Sequence, residues 1–297
     1  MDKHTQKHDT FIRAIMSNQQ IALDYFRTCI PQNIQNLLDF STLHQLPDTY
    51  VSKDLQKSIS DIVYRCKKAG GKGEVKISLL VEHKSYVDKY APIQIGSYIF
   101  SGLLKQIGNK ENPSLIIPIL LYHGKDRWEY KTLIDLFGDL EPALQKFVPD
   151  YQYIFHNLGQ ISDDEIQAVN NNFLAASLLA MKYSAFKKQL NALLPTIYTL
   201  INEMDKNLLN TLIVYILEGN PLGRDQFLEM ITSLPPFPNK ESIMDTLEQF
   251  IEQGREEATR DAVRNLIKQA VLTDEQIASA MNVTIDYVLK IRKDFKP

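Results

Sequence analysis

Two strand-like runs joined by a glycine-rich turn constrain this chain more than any other feature. Asp61-Ile62-Val63-Tyr64-Arg65-Cys66 and Val75-Lys76-Ile77-Ser78-Leu79-Leu80-Val81-Glu82 read as β-strands, and Gly70-Gly71-Lys72-Gly73 between them supplies the positive φ angles that a hairpin loop needs. The spacing predicts Ala69 across from Glu74, which sets Asp61 directly opposite Glu82 with Cβ atoms ~5 Å apart on one face. Lys84 falls on that face too, by the period of two along a strand.

Two carboxylates directly opposite each other destabilise a sheet, so the pair asks for something to offset the repulsion, and a divalent cation does so. Mg²⁺, with Mn²⁺ as the alternative, suits one or two carboxylates completed by water and phosphate oxygens. Lys84 would orient or deprotonate a bound water, or offset charge on a pentavalent phosphate. The chemistry implied is phosphodiester hydrolysis. The plain structural reading of the same residues is a solvent-facing strand with a surface Glu/Lys pair.

At 297 residues, 44% hydrophobic and 23% charged, the chain has the composition of a globular protein with one large domain and an appendage, or two modest ones. The polar start, Met1 to Asp9, lacks the apolar stretch of a signal peptide, and no segment reaches the ~18 apolar residues of a membrane span, so a cytoplasmic protein without a membrane partner is expected. Cys29 and Cys66 are too few for a disulfide framework or zinc site and read as small core residues. A net charge of −3 argues against coating nucleic acid through an overall field, so any DNA contact must be local. Lys67, Lys68 and Lys72 cluster on the hairpin as candidate phosphate contacts, although a solvated hairpin tip would look the same.

Helical periodicity marks residues 9–29, ending at Pro31, and again residues 92–108. Thr49-Tyr50-Val51 reads as a first strand, Leu115 to Tyr122 as a strand buried on both faces in which Pro118 needs an edge, and Tyr151 to Leu158 as the last strand. Beyond residue 160 the pattern is helical, with breaks expected at Pro195, Gly219-Asn220-Pro221 and Leu234-Pro235-Pro236-Phe237-Pro238. The expected organisation is a core over 1–160, a helical extension over 161–234, and a long charged helix from Lys240 to Ala270 with a closing hairpin over 235–297. Thr273, with Gln276 as capping-box partner, and Thr284 are the N-caps of that hairpin. It could pack, mediate protein contacts, or bring Lys290, Arg292, Lys293 and Lys296 to DNA.

His8-Asp9-Thr10-Phe11, Leu38-Asp39-Phe40-Ser41-Thr42-Leu43, Asp61-Ile62-Val63-Tyr64, Leu80-Val81-Glu82-His83-Lys84-Ser85, Tyr122-His123-Gly124-Lys125 before Trp128, and Glu275-Gln276-Ile277-Ala278 together resemble the recombination-promoting nuclease and transposase family, also called YhgA-like, of the PD-(D/E)XK nuclease superfamily. The resemblance spans most of the chain. It implies an α/β fold, with a nuclease-like core of mixed β-sheet flanked by helices and an all-helical C-terminal region, and Mg²⁺-dependent endonucleolytic cleavage of DNA linked to recombination or mobile elements. Carried over residue by residue, Asp61 and Glu82 bind metal and Lys84 is the signature lysine, at a position where many relatives have Gln. Gln94 and Tyr98 form a Q-xxx-Y spacing similar to that of phage exonuclease and RecB-like nucleases, where the pair helps position DNA and the site. Asp9 would add an acid, or simply favour a helix start.

His83, His123 and His156 lack metal-ligand spacing, and Tyr122 and Trp128 read as packing residues before base-stacking ones. Two other functions stay open: a non-catalytic DNA-binding or regulatory protein on a nuclease-like core, and a homo-oligomer held by the C-terminal helices.

Overall fold

The computed structural model describes residues 3–46, 60–71, 74–82, 87–201, 206–219, 229, 232, 240–269 and 271–294. Lys72, His83, Lys84, Lys296, the strand expected at 49–51 and the proline-rich segment 234–238 lie outside them. The chain divides into two compact units, residues 1–221 with 237–239, and residues 222–236 with 240–297.

The first unit is built on a five-stranded mixed sheet in sequence order: β1 Leu38–Gln45, β2 Ser60–Lys68, β3 Glu74–Glu82, β4 Leu115–Tyr122 and β5 Ile154–Asn157. The first three strands are antiparallel, whereas β4 runs parallel to β3, and β5 parallel to β4. Pro118 is tolerated because β5 pairs with β4 only from Ile119 onward, leaving the proline with β3 alone as a neighbour. A strand at Leu38–Gln45 was not expected from its polar sequence. Its pairing with β2 shifts register between Asp39 and His44, and Thr42 Oγ1 accepts the Lys67 N–H at 2.9 Å, satisfying the ladder where the extra residues bulge out.

The helix expected over 9–29 is two helices, α1 Lys3–Met16 and α2 Gln19–Cys29. Asn18 breaks it: in an extended conformation, its side chain accepts from the N–H groups of Gln20 and Ile21 and caps α2. Both helices cover the sheet face that carries Ile62, Tyr64, Cys66, Val75, Ile77, Ile119 and Leu121, all buried. Phe26 of α2 meets Tyr64 edge-on at 5.2 Å, and the Tyr64 hydroxyl donates to the Met16 carbonyl of α1.

The other face is covered by α3, Ala91–Gly108, the crossover between β3 and β4. Its Ala91, Ile95 and Tyr98 pack with Val63, Ile116, Leu120 and Tyr122 of the sheet and with Trp128 and Tyr153. Strand β5 is shorter than expected: residues 151–153 stay outside the ladder, and at the other end Leu158–Gln160 turns into a 3₁₀ helix, capped by the Asn157 side chain.

Helices α4 Asn172–Lys182, α5 Lys187–Leu200 and α6 Lys206–Gly219 complete the unit. Pro195 does not break α5. Leu190, Leu194, Ile197 and Tyr198 are buried on both sides of it, so tertiary packing offsets the lost hydrogen bond. Tyr215 of α6 stacks on Phe11 of α1 at 4.0 Å.

The second unit contains α7 Lys240–Gln269, α8 Asp274–Met281 and α9 Ile285–Asp294. Thr273 and Gln276 form the expected capping box, and Asn282 closes α8 in the left-handed conformation. Val263 and Ile267 of α7 share a small core with Ile277, Ala278, Val288 and Ile291. The Arg292 guanidinium closes on Asp274 at 2.6 Å, tying the two arms of the hairpin together. No helix among the described residues is long and apolar enough to cross a membrane.

Candidate functional site at the carboxyl edge of the sheet

The register of the central hairpin differs from the expected one. Asp61 pairs with Leu80 and Ser60 with Val81, so Glu82 is not directly opposite Asp61. The cause lies in the turn: Gly71 N–H donates to Lys68 O at 3.2 Å, and Gly70, at φ 85°, takes the third position of a type II turn. The turn removes Lys68 and Ala69 from the β2–β3 ladder, which closes at Lys67 and Glu74.

The offset is two residues, an even number, so Asp61 and Glu82 keep a common face. They become diagonal neighbours, ~7–8 Å apart. The face is the one covered by α3, because Asp61 shares the parity of Val63, and Leu80 and Glu82 pair with Leu120 and Tyr122.

Glu82, Tyr122 and Asn157 form one row across β3, β4 and β5, at the carboxyl ends of three parallel strands. Open α/β sheets bind ligands at this edge. Tyr122 and Trp128, 1% and 4% exposed, meet edge-on at 4.8 Å, so both pack in the core. Asp9 is half-buried in the middle of α1, more than a turn past its first residue, so it does not act as a helix-start carboxylate; α1 approaches the same edge on the opposite face, where the adjacent His8 ring lies 4.5 Å from that of His123, just past β4.

Gln94 and Tyr98 lie one turn apart on α3. Gln94 Nε2 donates to Asp88 Oδ2 at 2.9 Å, while the Tyr90 N–H donates to Asp88 Oδ1 at 2.9 Å. Tyr98, 2% exposed, sits in the α3–sheet core. Asp88 was missed from the sequence, although a carboxylate just ahead of a proline-started helix is a recognisable signal. It is 7% exposed, and both its oxygens are held by α3.

Lys67 and Lys68 are not brought to this edge. Lys67 and Lys68 are exposed at the far end of β2, about 20 Å from Asp61 at ~3.3 Å per residue. Cys66 is a buried free thiol and Cys29 a half-buried one.

His156 is buried, its Nδ1 3.1 Å from the Tyr25 hydroxyl, and burial pushes its pKa down to about 4 from 6.5. The neutral ring is therefore the folded form. Between pH 6.5 and about 4 the unfolded chain binds a proton that the folded chain refuses, so stability falls as pH drops through this window and levels off above it. The loss amounts to roughly 3 kcal/mol at the acid end, from 1.36 kcal/mol per pKa unit. Urea titrations at pH 7 and pH 4.5 should show this slope in the wild type and a clearly shallower one in His156→Gln; equal slopes would assign the acid sensitivity to other groups.

Among the described residues no group of three His, Cys, Asp or Glu side chains forms a metal cage. A Mg²⁺-type site needs none, since two carboxylates with water and substrate oxygens suffice. The donor set at positions 61 and 82, two hard carboxylates on one face, fits such a cation.

The profile of the family described as "Putative transposase, YhgA-like" matches residues 6–210. The chain is 24% identical to recombination-promoting nuclease RpnA of Escherichia coli K12, over 92% of this chain and 96% of that protein. It is also 24% identical to recombination-promoting nuclease RpnD of Escherichia coli O157:H7, over 82% and 93% of the two chains. The same identity relates it to the inactive recombination-promoting nuclease-like protein RpnE of strain K12, over 84% and 83%. No solved structure matches.

Proposed function

The chain belongs to the YhgA-like transposase family, and from that premise we propose that it is a Mg²⁺-dependent DNA endonuclease built on a PD-(D/E)XK-type core. The observation that carries the reading is the shared face and diagonal register of Asp61 and Glu82 at the carboxyl edge of the sheet. Two relatives named as nucleases support it, each covered over more than nine-tenths of its length.

In this reading Asp61 and Glu82 hold the divalent cation, Mg²⁺ or Mn²⁺. When bound, the cation lowers the pKa of water and offsets charge on the phosphate. Lys84 would accept a proton from the attacking water, or orient the water as solvent takes that proton, while the water oxygen bonds to phosphorus; the bridging P–O bond breaks and the departing oxygen takes a proton from solvent, leaving a hydroxyl and a phosphate end. Gln94 fixes the Asp88 carboxylate at the head of α3, and Tyr98 anchors that helix to the sheet, so the pair positions the strand edge that carries Glu82. The partner is DNA. Self-association through α7, α8 and α9 is compatible with the same site. The hairpin lysines Lys67, Lys68 and Lys72 would touch only a substrate long enough to span the sheet.

A second reading, a non-catalytic DNA-binding or regulatory protein, is favoured by one fact: a relative equally similar in sequence is named inactive. Plasmid nicking by the purified protein decides between them. Cleavage in Mg²⁺, absent with EDTA or Ca²⁺ and lost in both Asp61→Ala and Lys84→Ala, is the expected result. Plasmid left intact by wild type, or cut equally by the variants, rejects the nuclease reading in favour of the second.

A further inference from the structure

Beside the carboxylate edge lies a cleft of about 570 Å³, between the ends of β4 and β5 on one side and the α4–α5 connection on the other. A cleft of this volume suits a ligand of small-molecule size, such as one nucleotide. Asn157, which lines it, is two strands from Glu82 in the shared row, roughly 10 Å at the usual strand spacing.

Its lining is specific in kind. Tyr183 and Phe186, both partly exposed, present two rings 6.5 Å apart at 71° to each other. Gln160 and Gln189 are exposed at the rim, and Asn157 is pinned by Gly159 N–H at 3.0 Å and Trp128 O at 3.3 Å. The floor is kept low by Gly124, where an added Cβ would come within 2.4 Å of the Tyr122 hydroxyl and 2.6 Å of its ring.

The charges decide what this lining can hold. Lys182 donates to Asp163 at 2.7 Å and to Ile161 O at 2.6 Å, so it braces the wall. Arg127 pairs with Glu129 at 3.0 Å with both side chains mostly exposed, an ion pair weak enough for a phosphate to displace. Lys125 is exposed, with Asp126 beside it. Such a nearly balanced set cannot grip a duplex backbone, which demands several unopposed cations. It can hold one phosphate, while the aromatic rings and amides take a base whose faces and edges are accessible. In a duplex they are not.

We propose that this cleft binds an unpaired nucleotide of the DNA strand being cut, so that the protein prefers single-stranded or locally opened DNA. The proposal rests on the nuclease reading for the identity of the strand, but the cleft binds with or without catalysis.

The test is fluorescence anisotropy of the full-length protein in EDTA with a labelled DNA strand, the matching RNA strand and the blunt duplex. Wild type should bind the DNA strand about tenfold more tightly than the duplex. Phe186→Leu and Lys125→Glu should each weaken strand binding about tenfold, which is about 1.4 kcal/mol, in the range for loss of one stacked base, and leave duplex binding unchanged. Lys125 is exposed, so its replacement spares the fold; a melting curve verifies Phe186→Leu. Variants that bind the strand as wild type does, or a wild type that prefers the duplex, overturn the proposal, and tighter binding of RNA overturns DNA as the source of the nucleotide. Because the readout is binding in EDTA, a protein that fails to nick plasmid in Mg²⁺ but keeps the strand preference removes the nuclease reading alone.

Discussion

Exchanging Glu82 for Gln is expected to cut Mg²⁺-dependent nicking on the order of 10³-fold while raising the melting temperature of the protein in EDTA. The two effects have one cause. Asp61 and Glu82 share a face as diagonal neighbours, and two like charges ~7 Å apart repel by about 0.5–1 kcal/mol when water screens them. Glutamine keeps the shape and removes the charge, so without cation the variant should melt about 1–4 °C higher, at the ~2–4 °C per kcal/mol usual for chains of a few hundred residues. With Mg²⁺ the order should reverse, because wild type gains from binding and the variant does not. On the proposed nuclease reading, the rate loss follows from removing half of the carboxylate pair that would hold the cation against the phosphate. Calorimetry with and without Mg²⁺ reads the first effect and plasmid nicking the second. If the variant is less stable in EDTA, Glu82 serves the fold, and the paired-acid account of the site fails.

Tyr64→Ala should destabilise the first unit by about 3–5 kcal/mol, the range for removing a large buried aromatic side chain. Tyr64 is 0% exposed, packs edge-on against Phe26 and donates to the Met16 carbonyl, one of the acceptors at the end of α1 that no helical N–H can reach. Alanine leaves a cavity at the junction of β2, α1 and α2 together with an unsatisfied carbonyl. Against a total stability of ~5–15 kcal/mol for ordinary domains, such a loss brings the unit close to unfolding at 37 °C. Tyr64→Phe separates the parts: it keeps the packing, so its cost should be about 1 kcal/mol, the worth of the hydrogen bond. Urea midpoints at unchanged slope give both numbers. Activity per folded molecule should survive in Tyr64→Phe, since alternation puts Tyr64 on the face opposite Asp61. An alanine variant within about 1 kcal/mol of wild type would show that this junction is not where α1 is held.

Much of both units was legible from local chemistry. The strands around Asp61 and Glu82, the helix started by Pro92 and the capped hairpin at Thr273 all stand close to where periodicity and caps put them. What failed did so for identifiable reasons. Asn18 splits the first helix because one cap outweighs a continuous apolar period, and Pro195 is tolerated because its helix is buried on both sides of it. The register was misjudged because closing the ladder at Lys67 rather than Ala69, two residues earlier, depends on where along the glycine-rich loop the turn forms, and both Gly70 and Gly71 take positive φ.

The sequence by itself determined the face on which Asp61 and Glu82 stand, because alternation along a strand is rigid and an even shift of register cannot change it. It determined the chemistry of the donors as well, since two carboxylates suit a hard cation whatever surrounds them. Only the tertiary structure decided their diagonal spacing, the separation of Lys67 and Lys68 from the carboxylate edge, and the meeting of residues 124–127 with residues 182–189 in one cleft. Those relations join segments far apart in the chain, and distances between such segments follow from how the sheet and helices close over one core, which no local pattern encodes.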